Sequence, residues 1–212
     1  MDIEKPKEEN YFTLKDINPV IKFLTVSDIL ILSGFGLISP IFAVFIVDTI
    51  KGGNLEVVGI AATVYLLTRS LAQIPIANMI DKIRGERDDF WAMLIGSLVF
   101  SCVPLLYLLV SAPWQLYLVQ FVYGLATASA YPSWFAIFTR HIDKEHEGIE
   151  WGAYHTLVDL GGAGAAALGG FLAYKFGFNY LFMLVSLVSL IGSLFLAGVY
   201  GRMRIGHIIF KK

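Results

Sequence analysis

The chain has 212 residues, of which 57% are hydrophobic and 16% charged, with a net charge of −1 and a mean hydropathy of +0.68. Soluble domains carry about 25% charged residues, so this composition excludes a soluble core of this size, and the near-zero net charge points to no nucleic-acid or acidic partner. The single cysteine, Cys102, excludes an internal disulfide and reads as a small apolar residue in an apolar run.

Residues 1–20 are expected to form a cytoplasmic tail, because Met1 to Asp16 is polar and lacks the short apolar core of a cleavable signal peptide. Asn18-Pro19 is placed to start the first helix. Six apolar runs follow, each long enough for a helix of ~20 residues to cross ~30 Å of hydrocarbon. Barrel strands are excluded, since the runs are long and do not alternate. The first span, about 21–48, carries Asp28 and then no charge from Ile29 to Val47. Asp28 shares a helical face with Ser39, and Pro40 is expected to bend the helix.

The second span, 55–80, follows a break at Lys51-Gly52-Gly53-Asn54. It sets Tyr65, Arg69 and Gln73 on one face, at i, i+4 and i+8. Arg69 lies ~18 Å from Asp81 at the helix end, close to mid-membrane. An ionised group there costs roughly 2.5–3.5 kcal/mol, so Arg69 is expected to pair with Asp28 or Asp159, as a structural ion pair or as part of a gate. The third span runs about 90–110, and Phe90 to Thr139 carries no charge. The fourth, about 114–139, aligns Gln120, Gly124, Thr127, Tyr131 and Trp134. That polar and aromatic stripe suits either a solute cavity or ordinary helix packing with Tyr and Trp hydrogen bonds.

The fifth span, about 151–174, is nearly all small from Gly161 to Gly170. Gly161, Ala165 and Gly169 form one stripe, and Gly162, Ala166 and Gly170 another. Small residues let membrane helices approach closely, within one bundle or between two. His155 and Asp159 lie one turn apart near the second stripe. Gly177 ends this span, and the sixth runs about 178–200, inside an uncharged stretch from Phe176 to Gly201. Residues 21–201 thus form one transmembrane unit, and 202–212 a second cytoplasmic tail.

Orientation follows the basic residues. Lys5, Lys7, Lys15, Lys22, Lys82, Arg84, Arg87, Arg140, Lys144, Arg202, Arg204, Lys211 and Lys212 fall on one side, and only Lys51 and Lys175 on the other. Both termini are therefore expected in the cytoplasm. Trp91, Trp114 and Trp151 sit near span ends, where interfacial aromatics belong.

The loop Ala77-Asn78-Met79-Ile80-Asp81-Lys82-Ile83-Arg84-Gly85-Glu86-Arg87 resembles the signature loop of the major facilitator superfamily, Gly-x-Leu-Ala-Asp-Arg-x-Gly-Arg-Arg/Lys. Asp81 and Lys82 match its acid–base pair; Gly85 falls one residue late and Ala77 replaces the leading glycine. Gln120-x-x-x-Gly124 resembles the fourth-helix pattern, which usually begins with arginine, and Gly161 to Gly170 resembles the fifth-helix glycine motif. Ala166 stands where antiporters of the family carry proline. The resemblance runs from about Asn18 to Arg202 and covers one six-helix bundle, whereas typical members have two.

The resemblance implies an all-α membrane fold and secondary transport of a small solute by alternating access. Its first and fourth helices would line the path, and its second and fifth would meet the other half. A half-size member is expected to need a partner: a parallel homodimer, or a second six-span half. Asp28, Arg69, Gln73, Gln120, Tyr131, Trp134, His155 and Asp159 are the candidates for substrate and coupling. Asp28 or Asp159 would carry a coupled proton, and Arg69 would pair with Asp159 of the other copy. Asp81, Lys82, Gly85 and Arg87 would form a cytoplasmic gate against the start of a fifth helix at Glu150-Trp151-Gly152. Gly161, Gly162, Gly169 and Gly170 would serve helix packing. The expected partners are the lipid of the cell membrane, crossed many times, and a small solute. No cofactor, metal or nucleic acid is expected. There is no nucleotide-binding loop, zinc signature or nucleophile turn to suggest an enzyme. The alternative is a membrane subunit that assembles or senses without transporting.

Overall fold

The computed structural model describes residues 17–82 and 86–209, with side chains through Met203. All described elements are helical. The first, α1 (Pro19–Gly36), starts where Asn18 accepts a hydrogen bond from the Val20 N–H at 2.9 Å, with proline in the first turn. It gives way to a 3₁₀ turn, Ser39–Ile41, and resumes as α2 (Phe42–Thr49). Pro40 lies in that turn, where its missing N–H and fixed φ break the α-helical ladder. The break rotates Ser39 off the Asp28 face: Asp28 is buried and Ser39 exposed. The expected shared face does not exist.

The next helix, α3 (Leu55–Ile80), coincides with the expected second span and is capped by the Asn54 side chain, which accepts from the Val57 N–H at 3.0 Å. Then come α4 (Arg87–Tyr107) and α5 (Pro113–His141). Gln115 closes the start of α5, its side-chain oxygen accepting from the Ser111 and Ala112 N–H groups at 2.8 and 3.1 Å.

A 49-residue helical stretch, α6 (Glu147–Phe195), is interrupted at Gly177 by φ 82° and ψ 167°. Left-handed φ suits glycine and strains other residues. The contacts of the two arms show that the chain reverses there. On residues 147–176, Tyr154 bonds Asp28, a Cβ on Gly161 would meet Ser33, and one on Gly169 would meet Leu37; positions rise together. On residues 178–195, Ser189 faces Gly34, Gly192 faces Ser27 and Phe195 lies 6.2 Å from Phe23, so positions run in opposition. A last helix, α7 (Ala197–Ile209), follows.

Among the described residues, four stretches are long and apolar enough to cross a membrane: Pro19–Thr49, Leu55–Ile80, Arg87–Tyr107 and Glu147–Met203. The last holds both arms of α6, and α5 adds a further helix of 29 residues. The two arms flank α1, α4 packs on α5 and α6, and α3 lies mainly on α5. Only 11% of the most apolar window of α3 is buried, leaving a broad outer face.

Two apolar clusters fill the bundle. One gathers Ile31, Phe45, Ile46, Tyr107, Leu116, Leu181 and Phe182. The other gathers Ile21, Leu24, Phe90, Met93, Trp134, Phe138 and Val199. Serine hydroxyls join α1, α4 and the second arm of α6: Ser27 donates to the Gly192 carbonyl at 2.7 Å, Ser186 to the Ser101 carbonyl at 2.6 Å, and Ser101 and Ser193 share a bond of 2.9 Å. Such bonds hold helices together where lipid offers no polar partner.

Candidate functional site

Between the two apolar clusters lies a small cavity of ≈ 20 Å³, lined by Asp28, Ile31, Leu32, Ser97, Phe100, Ala130, Tyr131 and Trp134. Asp28 reaches it from α1, buried to 9% exposure. Its Oδ2 accepts a hydrogen bond from the Tyr154 hydroxyl at 2.7 Å. No lysine, arginine or histidine among the described residues forms an ion pair with it. A buried carboxylate with one neutral donor is costly to keep ionised.

Arg69 approaches from α3. Its guanidinium lies 4.5 Å from the Tyr131 ring centroid, and its Nη1 donates to the Tyr65 hydroxyl at 3.3 Å. The Tyr65–Arg69 bond is the i, i+4 contact that the spacing implied. Tyr65 stacks on Tyr123 at 4.6 Å, and Tyr123 on Phe35 at 5.5 Å. Tyr131 thus stands between the two charges, within electrostatic reach of both Asp28 and Arg69. Within the chain, Arg69 is held by aromatic residues and not by Asp28.

The fourth-span stripe divides. Tyr131 and Trp134 reach the cavity. Gly124 instead lets α3 approach, since a Cβ there would sit 2.8 Å from Thr68 Cβ and 2.9 Å from the Tyr65 carbonyl oxygen. The Thr127 hydroxyl is taken by the Tyr123 and Gly124 carbonyls at 2.9 and 3.0 Å. Gln120 is buried near Tyr107. Gln73 is half-buried on α3. Asp159 and His155 lie on the exposed side of α6, His155 stacked on Trp151 at 5.8 Å. Trp151 joins a cluster with Trp134, Phe138 and Tyr154.

The two small-residue stripes have different surroundings. Gly161, Ala165 and Gly169 pack against α1. A Cβ on Gly162 or Gly170 would meet nothing within 4 Å. Of the loop residues, Asp81, Lys82 and Arg87 are exposed, and Gly85 lies outside the described residues. Asp81 is within electrostatic reach of Arg140, which pairs with buried Asp89, while His141 lies 3.8 Å from Glu86.

Tyr154, Tyr123 and the Arg140–Asp89 pair escaped the sequence reading. A tyrosine in an apolar run reads as an interfacial aromatic, and Tyr154 is 126 positions from the carboxylate it serves. The signal for Arg140–Asp89 was present, as charges of opposite sign at the ends of adjacent helices.

Long apolar helices packed around a small internal cavity define a multi-pass membrane protein. The model of the Major Facilitator Superfamily matches residues 24–207. The chain belongs to that superfamily. Similar curated proteins include Multidrug resistance protein MdtG of Enterobacter lignolyticus, 24% identical over 81% of this chain and 41% of the relative. Multidrug resistance protein MdtG of Dickeya zeae is 25% identical over 84% of this chain and 43% of the relative. Uncharacterized transporter YybO of Bacillus subtilis is 22% identical over 65% and 31%. The chain therefore spans less than half the length of these relatives. No solved structure matches it significantly.

Proposed function

We propose that this chain is one six-span half of a non-enzymatic secondary transporter that moves a small solute across the cell membrane by alternating access. The observation that carries the reading is the cavity at the level of Asp28, in a chain whose family relatives include a named transporter. The path is completed by a second six-span half, most simply another copy of the chain in the same orientation. The outer face of α6 supports that assembly. It presents Asp159 and His155 beside the open positions Gly162 and Gly170, and a charge facing outward from a membrane helix calls for a partner or water.

In this assembly Arg69 of one copy meets Asp159 of the other, Asp28 or Asp159 carries the coupled proton, and Asp81, Lys82, Gly85 and Arg87 close the cytoplasmic side. Native mass spectrometry in mild detergent is expected to give two copies per particle. A strictly monomeric protein that still transports would remove the dimer. A double-mutant cycle with Arg69→Met and Asp159→Asn, read on dimer stability, should show coupling; additive effects would reject the pair. Reconstituted vesicles tested with labelled sugars, amino acids, organic cations and organic anions should take up at least one class. Uptake of none by folded, dimeric protein would favour a non-transporting membrane subunit.

A further inference from the structure

The net charge of the chain is near zero, but its charge is unevenly spread. Residues 81–89 hold four acids against three lysines and arginines, and residues 140–150 hold four acids against two. Arg140, in the second of these segments, is already paired with Asp89. The last segment is different. No acid follows Asp159, and Arg202, Arg204, Lys211 and Lys212 give residues 197–212 four positive charges and no negative one. This basic segment is helical as far as Ile209.

The structure sets the first turns of α7 against the start of α1. The Arg202 guanidinium lies 3.9 Å from the Phe23 ring centroid, within the range of a cation–π contact. Gly198 makes that approach possible, since a Cβ there would stand 2.7 Å from Cδ1 of the Phe23 ring. Lys22 precedes Phe23 in the first turn of α1, so bases of two helices gather at one corner. The first turn of α1 contains no acid, and a helix N-terminus itself favours an anion. Arg202 is exposed, and among the described residues no carboxylate pairs with it.

The depth of the corner follows from separate contacts. Phe195 lies 6.2 Å from Phe23, so the apolar stretches Pro19–Thr49 and Glu147–Met203 leave the hydrocarbon at one level. Tyr200 packs on Phe90 at 4.9 Å and on Trp91 at 6.4 Å, and Trp91 is 45% exposed. Tyrosine and tryptophan at the end of a membrane helix sit at headgroup level. The corner therefore faces lipid phosphates.

We propose that the corner of Lys22 on α1 and Arg202 on α7 binds the headgroup phosphate of an anionic phospholipid, which holds α7 against the start of α1. Each lysine or arginine beside an anionic membrane surface adds about 1 kcal/mol, or about fivefold in affinity. Residues 1–16 are a poorer counter-charge for this corner, because Lys5, Lys7 and Lys15 are interleaved with their acids. The proposal needs a chain that crosses the membrane and is independent of solute transport.

The test is native mass spectrometry of the full chain in mixed micelles holding equal amounts of dioleoylphosphatidylglycerol and dioleoylphosphatidylcholine. The anionic lipid should be retained at least about tenfold more tightly, about 1.4 kcal/mol. Raising the ionic strength from about 0.1 to about 1 M shortens the Debye length from ~10 to ~3 Å and should lower that preference at least about threefold. Lys22→Gln and Arg202→Gln should each lower it about threefold to fivefold, Arg202→Lys should keep it, and Lys175→Gln, at the other end of the same bundle, should leave it unchanged. Phosphatidylglycerol carrying a diazirine on its headgroup should crosslink to the first turns of α1 and α7, and free glycerol 1-phosphate should not displace the lipid. The lipid, salt and crosslinking comparisons use the wild-type chain and decide the matter even where a variant misfolds. Equal retention of the two lipids, crosslinks confined to other segments, a preference kept by the Lys22→Gln, Arg202→Gln double variant, or displacement by free glycerol 1-phosphate would overturn the inference.

Discussion

Gly169 marks the closest approach of two helices in the bundle, and alanine there should be costly. A Cβ would sit 2.9 Å from the Leu37 Cα and 2.7 Å from its carbonyl carbon, and closer still to the carbonyl oxygen. Ordinary contact begins near 3.4 Å, so even the Cα must retreat by 0.5 Å. The obstacle is backbone, and Leu37 is 7% exposed within an apolar cluster, so no side chain can swing away. Overpacking of this kind costs about 1–3 kcal/mol. Gly164 is the control: it lies on the same arm with nothing within 4 Å of a Cβ, and alanine gains helix propensity of about 1 kcal/mol. The propensity gain is common to both positions, so Gly169→Ala should unfold about 1–3 kcal/mol more easily than Gly164→Ala. Unfolding of both variants in mixed detergent micelles, followed by helical circular dichroism, measures the gap. Equal stabilities would refute the close packing of α1 on α6.

Tyr154→Phe leaves Asp28 buried without the hydrogen bond that Tyr154 donates and should cost about 1.5–3 kcal/mol; the same change in an Asp28→Asn background should cost less, and additive losses in a double-mutant cycle would reject the bond. Gly177→Ala meets no steric obstacle but must adopt a φ of 82°, so unfolding measurements should show a loss of about 1–2 kcal/mol, and an unchanged midpoint would contradict the reversal at that residue. Arg140→Met strands the Asp89 side chain, which is 4% exposed, whereas Arg140 itself is 40% exposed and partly screened. The expected loss is about 1–3 kcal/mol, and Asp89→Asn in the Arg140→Met protein should recover part of it in the same unfolding assay.

What could be read from the sequence was whatever local chemistry decides. The start of α3 follows from the Asn54 cap, and its length from an uninterrupted apolar run, so Leu55–Ile80 was legible. A bend near Pro40 was legible, but its onset at Leu37 was not, because that residue's backbone is set against Gly169 on another helix. The small stripes of α6 were legible as faces. Which face meets α1 and which stays open was not, because periodicity names a face and not its neighbour. The fourth-span stripe shows the same limit. All five residues point inward, yet only Tyr131 and Trp134 reach the cavity, while Gly124 and Thr127 are consumed by contact with α3 and by local carbonyls. Charge drew attention to Asp28 and Arg69, and spacing tied Tyr65 to Arg69, but the hydroxyl that holds Asp28, on Tyr154, carries no comparable mark in an apolar segment.

Two-sided access to the cavity is the property that separates a transporter from a membrane subunit with a pocket. Ser97 lines the cavity and is 4% exposed, and Ser97→Cys changes little but the sulfur. In a Cys102→Ser background, which removes the one exposed native thiol, the full chain can be placed in oriented vesicles and treated with a membrane-impermeant thiol reagent from either side. Alternating access predicts labelling of Ser97→Cys from both sides, with Asp81→Asn shifting the ratio toward the cytoplasmic side. Labelling from a single side in the wild-type background, unchanged by Asp81→Asn, would contradict transport through this cavity.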